Sequence, residues 1–400
     1  MKRYLLLPAV ACALLGALPV QAEKKYDVGA TDTTIKIGQT MPYSGPASAY
    51  GQIGRAEAAY FKMINEQGGI NGRKIELVSL DDGYSPPKTV EMVRQLVEQD
   101  DVLLLFNPLG TPSNSAIQRY LNGKKVPQLF VASGASKWND PKNYPWTMGW
   151  QPNYQTEARI YAQQILKTKP AAKIAVLYQN DDFGKDYLKG FKEELGDKAK
   201  LIVAEQSYEV TDPTIESQIV TLKGSGADVL LDITTPKFGA QAIRKVAEIG
   251  WKPEHYLTNV SASIGSVLTP AGRDNSVGLI SMGYLKDASD KSWDNDEAMN
   301  VWREFMKKYL PDANVLDGNN TYGYSVAQTL VYVLKQCGDD LTRENVMKHA
   351  ADIKGLQLPL ALPGVKINTS ADNYAVFRSM QLVKFDGKQW VRFGDILTGM

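Results

Sequence analysis

Leu103-Leu104-Leu105-Phe106-Asn107-Pro108-Leu109-Gly110-Thr111-Pro112-Ser113-Asn114-Ser115-Ala116 carry the chain from a wholly apolar segment into hydroxyls and turn formers, and IQRYLNG follows with helical spacing. An apolar run leading directly into a helical pattern marks a parallel strand covered on both faces, as in an α/β sheet. Ligands of such sheets bind at the carboxyl ends of the strands. Thr111 before Pro112 reads as an N-cap followed by the first helical residue, which aims the next amides back toward the loop. Free amides at a helix start attract anions. From these residues alone, two roles stay open for Thr111: capping its own helix, or offering its hydroxyl to an anionic ligand.

Working outward, the same strand–loop–helix unit recurs. Ile35-Lys36-Ile37-Gly38 alternates as a strand, MPYSGPASAYGQIG reads as a loop, and residues 57–66 form an amphipathic helix. KIELVSLDD then PPKTVEMVRQLVEQ, and PQLFVAS then a short polar segment, repeat it. The rhythm changes at YPWTMGWQP, residues 144–152, and a second βα series follows. Its helices are expected over 154–166, 187–195, 215–222 and 240–249, around the strands KIAVLY, LIVAEQSY, ADVLLDI and HYLT. After GLISM, residues 278–282, long helices are expected over 297–309 and 322–336, and 377–385 with 389–393 reads as a hairpin around Asp386-Gly387. The fold class is therefore α/β, with two similar lobes in tandem.

The chain opens with MKRYLLLPAVACALLGALPVQA, two charges ahead of an apolar stretch with small or short residues at Val20-Gln21-Ala22. This is the pattern of a secretory signal over residues 1–22, too short and too Pro-interrupted for a membrane span. Cys12 is a poor lipoprotein site, lying too early and lacking the usual leading Leu. Cleavage after Ala22 removes Lys2 and Arg3 and leaves 43 basic residues (45 − 2) against 44 acidic ones. No basic field points to nucleic acid or to anionic lipid. Cys337 is then the only cysteine, so no intrachain disulfide is available, and the 378 remaining residues (400 − 22) are enough for two ordinary domains.

The residues from 35 to 82, IKIGQTMPYSGPASAYGQIGRAEAAYFKMINEQGGINGRKIELVSLDD, resemble the leucine/isoleucine/valine-binding family of type I periplasmic solute-binding proteins. The SGP loop, INEQGGINGRKIEL and the acidic pair Asp81-Asp82 carry the resemblance in the first lobe, and IAVLYQNDDFGKDYLKGF carries it in the second. The resemblance implies a Venus-flytrap fold of two doubly wound Rossmann-like lobes joined by a three-segment hinge. Lobe 1 is expected over 27–149 plus about 283–365 and lobe 2 over 150–282 plus about 366–400, with crossovers near 149–151, 281–283 and 365–376. It also implies delivery of a small solute to an ABC permease of the inner membrane by a monomer in the periplasm.

Site residues carry over from the same resemblance. The loops Leu109-Gly110-Thr111 and Ser133-Gly134-Ala135-Ser136 match those that hold a solute carboxylate in relatives, and Gly110 and Gly134 permit close backbone approach. Tyr50 matches an aromatic that covers the apolar part of the ligand, with Tyr43 and Trp138 as neighbours able to do the same. In the second lobe Phe183, Thr234 and Thr235 match contact positions. Amino-acid binders of the family place an acid after the HYLT-type strand to hold the ammonium, whereas here Asn259-Val260-Ser261 follows, leaving Asp232 as a substitute if it faces the cleft. An unpaired buried ammonium is costly, so an apolar or aromatic carboxylic acid is expected in preference to a branched-chain amino acid. Asp81-Asp82 is expected to satisfy loop amides, and the acidic run 286–297 to be a solvated helix start.

An enzyme on this sheet would need chemistry that the chain lacks. Its two histidines, His255 and His349, have no metal-pair spacing, and no Gly-x-Ser-x-Gly elbow or GxxxxGK[ST] loop occurs. Gly224-Ser225-Gly226 lacks the third glycine of a dinucleotide fingerprint. No cofactor or metal is expected. A sensor reporting to a membrane receptor remains the third reading.

Overall fold

The computed structural model describes residues 24–398, so the predicted signal lies outside the described residues. The first element among the described residues is β1 (Lys25–Tyr26), which pairs in parallel with the later β12 (Asp340–Leu341). The first large sheet contains β2 (Thr34–Met41), β3 (Lys74–Asp81), β4 (Leu104–Phe106), β5 (Gln128–Val131) and β6 (Thr147–Gly149). These strands are parallel throughout, in the order β3-β2-β4-β5-β6. Helices α1 (Gly51–Glu66), α2 (Pro86–Glu98) and α3 (Thr111–Lys124) connect them. The central strands have no polar face because both faces are covered; Leu103, Leu104, Leu105 and Phe106 are all fully buried.

The second sheet has β7 (Ile174–Gln179), β8 (Ile202–Tyr208), β9 (Val229–Ile233), β10 (Glu254–Leu257) and β11 (Ile280–Gly283), joined by β13 (Ser379–Phe385) and β14 (Trp390–Thr398). Its order is β14-β13-β11-β10-β9-β7-β8, with the last two strands of the chain antiparallel. Helices α4 (Tyr154–Thr168), α5 (Asp182–Leu195), α6 (Glu216–Gly224), α7 (Pro236–Glu248) and the short α8 (Thr269–Ala271) belong to this half. After β11 the chain returns to the first sheet with α9 (Glu297–Tyr309), α10 (Asn319–Cys337) and α11 (Arg343–Ala350). There Arg343 donates to the carbonyls of Leu103 and Val102 at 2.8 and 2.9 Å, and the rings of Tyr60 and Tyr324 meet edge-on at 4.7 Å.

Three segments pass between the sheets: after Gly149, after Gly283 and just before Ser379. The third lies later than 365–376, because Tyr374 is still tied to the first half by its amide on Asn139 and its hydroxyl on the Pro145 carbonyl. A division at residue 366 would thus cut a segment bonded to lobe 1. One aromatic from each passage meets the other two: Trp150 lies 6.2 Å from Tyr284 and 4.9 Å from Phe377, and Tyr284 lies 5.1 Å from Phe377. This buried cluster ties the three strands of the hinge together.

Candidate functional site

Loops at the carboxyl ends of both sheets face one another across a cleft enclosing about 1170 Å³ of empty space, part of it open to solvent. Tyr50, Tyr84, Leu109, Gly110 and Thr111 line it from the first half, and Phe183, Thr235, Asn259 and Val260 from the second. The halves are closed on each other. The Tyr50 hydroxyl donates to the Val260 carbonyl at 3.0 Å, Lys137 Nζ and Ser115 Oγ reach Asp182 at 3.0 and 2.9 Å, and Asp186 accepts from the Ser136 amide and hydroxyl at 2.8 and 2.6 Å.

The opening stretch resolves differently from its sequence reading. Gly110, not Thr111, is the N-cap of α3, with φ +101, and Thr111 is the first helical residue. No side chain caps this helix. A Cβ at Gly110 would lie 2.6 Å from the Tyr84 ring, so only glycine lets the loop pass that close to the cleft wall. Thr111 Oγ1 instead pairs with Ser133 Oγ at 2.7 Å. Ser133 Oγ already accepts from the Trp138 indole N–H at 2.8 Å and the Ala135 amide at 3.2 Å, so its own proton goes to Thr111. The Thr111 proton is left over, on a residue that lines the cleft, at the positive end of the α3 dipole.

Ser133, Ala135 and Trp138 therefore stand behind this wall, positioning Thr111 rather than lining the cleft. Ser136 is occupied by Asp186, a carboxylate of the protein in the role expected of a ligand. Gly134 makes room for backbone, since a Cβ there would lie 2.1 Å from the Pro152 carbonyl. Tyr43 bonds Ser79 at 2.7 Å away from the cleft lining. Asp81 and Asp82 do satisfy loop groups: Asp81 accepts the amides of Tyr43, Ser44 and Gly83, and Asp82 accepts the Tyr84 amide and the Thr89 hydroxyl. Together they hold the turn that presents Tyr84, at φ +61, to the cleft.

In the second half, Asp181 caps α5 by accepting the amides of Phe183 and Gly184, which fixes Phe183 at the helix start. The Phe183 ring stands edge-on to Tyr154 at 5.4 Å, and both line the cleft. Thr235 lines it too, but Thr234 is turned inward and donates to Asp232 at 2.6 Å. Asp232 is fully buried, takes His255 Nε2 at 3.0 Å on its other oxygen, and does not line the cleft. It is thus no substitute for the missing ammonium acid.

Sequence reasoning missed Glu157, a wholly buried acid on α4 next to Asn259. Its carboxylate accepts from the hydroxyls of Tyr161 (2.7 Å) and Tyr187 (2.9 Å), from the Asn259 amide (2.9 Å) and from Asn259 Nδ2. Burial raises its pKa, and these four donors oppose the rise. Burial also keeps the phenols of Tyr50, Tyr84 and Tyr154 neutral by raising theirs. The wall around Thr111 is aromatic and neutral, and the leftover Thr111 proton is a donor on it. At the hinge end the cleft is bounded by Tyr284, Lys286, Asp287, Asp290, Trp293 and Arg392, so the acidic run 286–297 is not simply a solvated helix start. Among the described residues no cluster of His, Cys, Asp and Glu could hold a metal ion, and no helix is long and apolar enough to cross a membrane.

The family model described as periplasmic binding protein matches residues 34–389. A Leu/Ile/Val-binding protein homolog 7 of Brucella suis is 26% identical over 63% of this chain, and the match covers 62% of that relative's length. A Leu/Ile/Val-binding protein homolog 1 of Brucella abortus is 24% identical, covering 79% of this chain and 82% of that one. Among solved structures, a branched-chain amino acid ABC transporter protein of Thermus thermophilus with bound valine superposes with a TM-score of 0.83 at 17% identity, covering 92% of this chain and 98% of that one. A fatty acid ABC transporter substrate-binding protein of Thermomonospora curvata gives 0.80 at 23% identity, covering 94% and 95%. With two parallel-stranded lobes closing on a cleft at their carboxyl ends, the chain belongs to the type I periplasmic binding proteins of the leucine/isoleucine/valine-binding family.

Proposed function

We propose that this protein is the exported solute-binding component of an ABC importer, a monomer that closes in the periplasm on a small apolar or aromatic monocarboxylic acid and hands it to a membrane permease. Periplasmic binding proteins are a standing example of hinge closure around ligands. The observation that carries the ligand class is the charge inventory near Thr111. A donor is free there for a carboxylate, but Glu157, the acid beside Asn259, already has four donors and is not on the cleft wall. An ammonium buried at this end would find no carboxylate, at a cost of several kcal/mol. The rings of Tyr50, Tyr84, Tyr154 and Phe183 offer the apolar surface such an acid needs.

The relatives named for leucine, isoleucine and valine, and the neighbour holding valine, favour a second reading in which the ligand is a branched-chain amino acid. Against an enzyme stands the His255–Asp232 pair, which lies off the cleft and, among the described residues, has no nucleophile on the imidazole. A sensor would share the same ligand and differ only in its membrane partner. A thermal-shift screen of benzoate-, cinnamate- and straight-chain acids beside leucine, isoleucine, valine and phenylalanine tests the assignment. Stabilisation by the acids supports it, whereas stabilisation by the amino acids but not by their deaminated analogues overturns it. Co-purification with a permease then separates transport from sensing.

A further inference from the structure

Asn259 and Thr235, which follow the paired strands β10 and β9 and line the cleft from the second half, have already committed their protons to the protein. Glu157 of α4 holds Asn259 by both of its nitrogens. The Asn259 backbone amide meets one Glu157 oxygen at 2.9 Å, and Asn259 Nδ2 meets the other. Nδ2 also lies 3.4 Å from the Tyr187 hydroxyl, whose own proton goes to Glu157 at 2.9 Å. Turning the Asn259 amide over would set its carbonyl against a carboxylate and a lone pair, so the side chain has one orientation, with Oδ1 pointing away from Glu157. Oδ1 receives no donor among the described residues, and it is not one of the polar atoms left both buried and unpartnered, so it keeps accessible surface. On a residue of the cleft wall, that surface is an acceptor.

Thr235 repeats the pattern. Gln179 Nε2 donates to Asp181 at 2.5 Å, which leaves Oε1 to accept the hydroxyls of Tyr208 and Thr235, each at 3.1 Å. Thr235 Oγ1 thus keeps lone pairs and no proton. The first half presents the reverse, the leftover Thr111 proton at the start of α3. A ligand that fits both halves carries an anionic acceptor for one and a donor for the other. A plain carboxylic acid brings no donor and would desolvate Asn259 Oδ1 without pairing it. An ammonium brings donors together with a charge for which neither oxygen is a counter-ion, because Glu157 is shut off behind the amide. A hydroxyl brings one donor and no charge.

We propose that the ligand is a hydroxylated monocarboxylic acid whose hydroxyl donates to Asn259 Oδ1, and that Glu157 is the positioning residue that holds this oxygen toward the cleft. The assignment narrows the ligand class proposed above and rests on its placing of a carboxylate at Thr111.

Calorimetric titration of the mature protein with two matched sets tests it without any variant. One set is 4-methylpentanoate, its 2-hydroxy and 3-hydroxy derivatives, and leucine. The other is 3-phenylpropanoate, its 2-hydroxy, 3-hydroxy and ring 4-hydroxy derivatives, and phenylalanine. The expected result is a hydroxy acid that binds about two- to tenfold more tightly than its plain parent, with the amino acid below both. Asn259→Leu should bring that ratio back to about one. Glu157→Gln offers Asn259 a donor as well as an acceptor, frees its amide to turn, and should lower the ratio toward one. A loss shared equally by plain and hydroxy acids in Glu157→Gln, with the ratio kept, refutes the positioning role. Plain and hydroxy acids binding equally at every position in the unaltered protein overturn the hydroxyl site alone. Amino acids binding most tightly in both sets overturn it together with the carboxylic-acid reading.

Discussion

Replacing Thr111 with Val keeps the side-chain shape and removes one hydroxyl, which the structure places between Ser133 and the cleft. Two consequences separate. The ligand loses the donor left over by the Ser133 relay, a charge-assisted bond worth about 1.5 to 3 kcal/mol, so its affinity should fall roughly ten- to more than a hundredfold. The Ser133 proton also loses its acceptor inside a fully packed wall, costing about 1 to 3 kcal/mol of stability. No loss of an N-cap enters, because Gly110 holds that position and no side chain caps α3. Ser133→Ala is the control: it strips acceptors from the Trp138 indole and the Ala135 amide but leaves Thr111 its own proton. It should lower the melting temperature while affinity stays within about a factor of a few, since no ligand bond is removed. Paired calorimetry and thermal unfolding, with the tightest acid from the screen, read both quantities. Thr111→Val with unchanged affinity and a lowered melting temperature would refute the spare-donor argument, as would Ser133→Ala costing as much affinity as Thr111→Val.

Tyr50→Phe deletes the hydroxyl that bridges the halves at Val260, so closure should weaken by about 0.5 to 1.5 kcal/mol. Small-angle scattering at half-saturating ligand should show a more open average, and an unchanged profile counts against that bridge. Asp186→Asn leaves the Ser136 amide and hydroxyl and the Gln155 amide facing a neutral group. Fluorescence from dyes placed on the two halves should report a larger open fraction without ligand, and identical distance distributions would sink the latch. Glu57 is wholly buried, with one oxygen on the Gln39 amide and the other unpartnered among the described residues, and burial pushes its pKa well up. Because folding raises this pKa, its contribution to stability is complete below the ordinary carboxyl value of 4.5 and is lost as pH rises through the folded value. The urea midpoint should fall as pH rises above the ordinary carboxyl value of 4.5. Glu57→Gln should flatten part of that fall, and a parallel profile would show that Glu57 is not its source.

The βα rhythm, the change at residues 144–152 and the placing of polar loops at strand ends were all legible along the chain, because an apolar run and the helix after it are local patterns. So were Tyr50, Leu109, Gly110, Thr111, Phe183, Thr235 and Asn259 as candidates for the cleft, through their positions at those strand ends and a family resemblance. Which neighbour of a pair faces the cleft was not legible. Adjacent residues at a strand end point to opposite sides, and only the final register turned Thr235 outward and Thr234 with Asp232 inward. The N-cap moved by one residue because Gly110 takes a positive φ to pass Tyr84, a contact between loops of two different strands. Ser136 met Asp186, and Glu157 met Asn259, only once chain segments far apart in sequence closed on each other. The hinge end of the cleft was hidden for the same reason. Its wall joins residues 284–293 to β14, about a hundred positions later, and only the return of the chain to the second sheet brings that strand alongside. Local sequence thus determined the elements and the strand ends at which the cleft lies, while tertiary structure decided which side chains share that space.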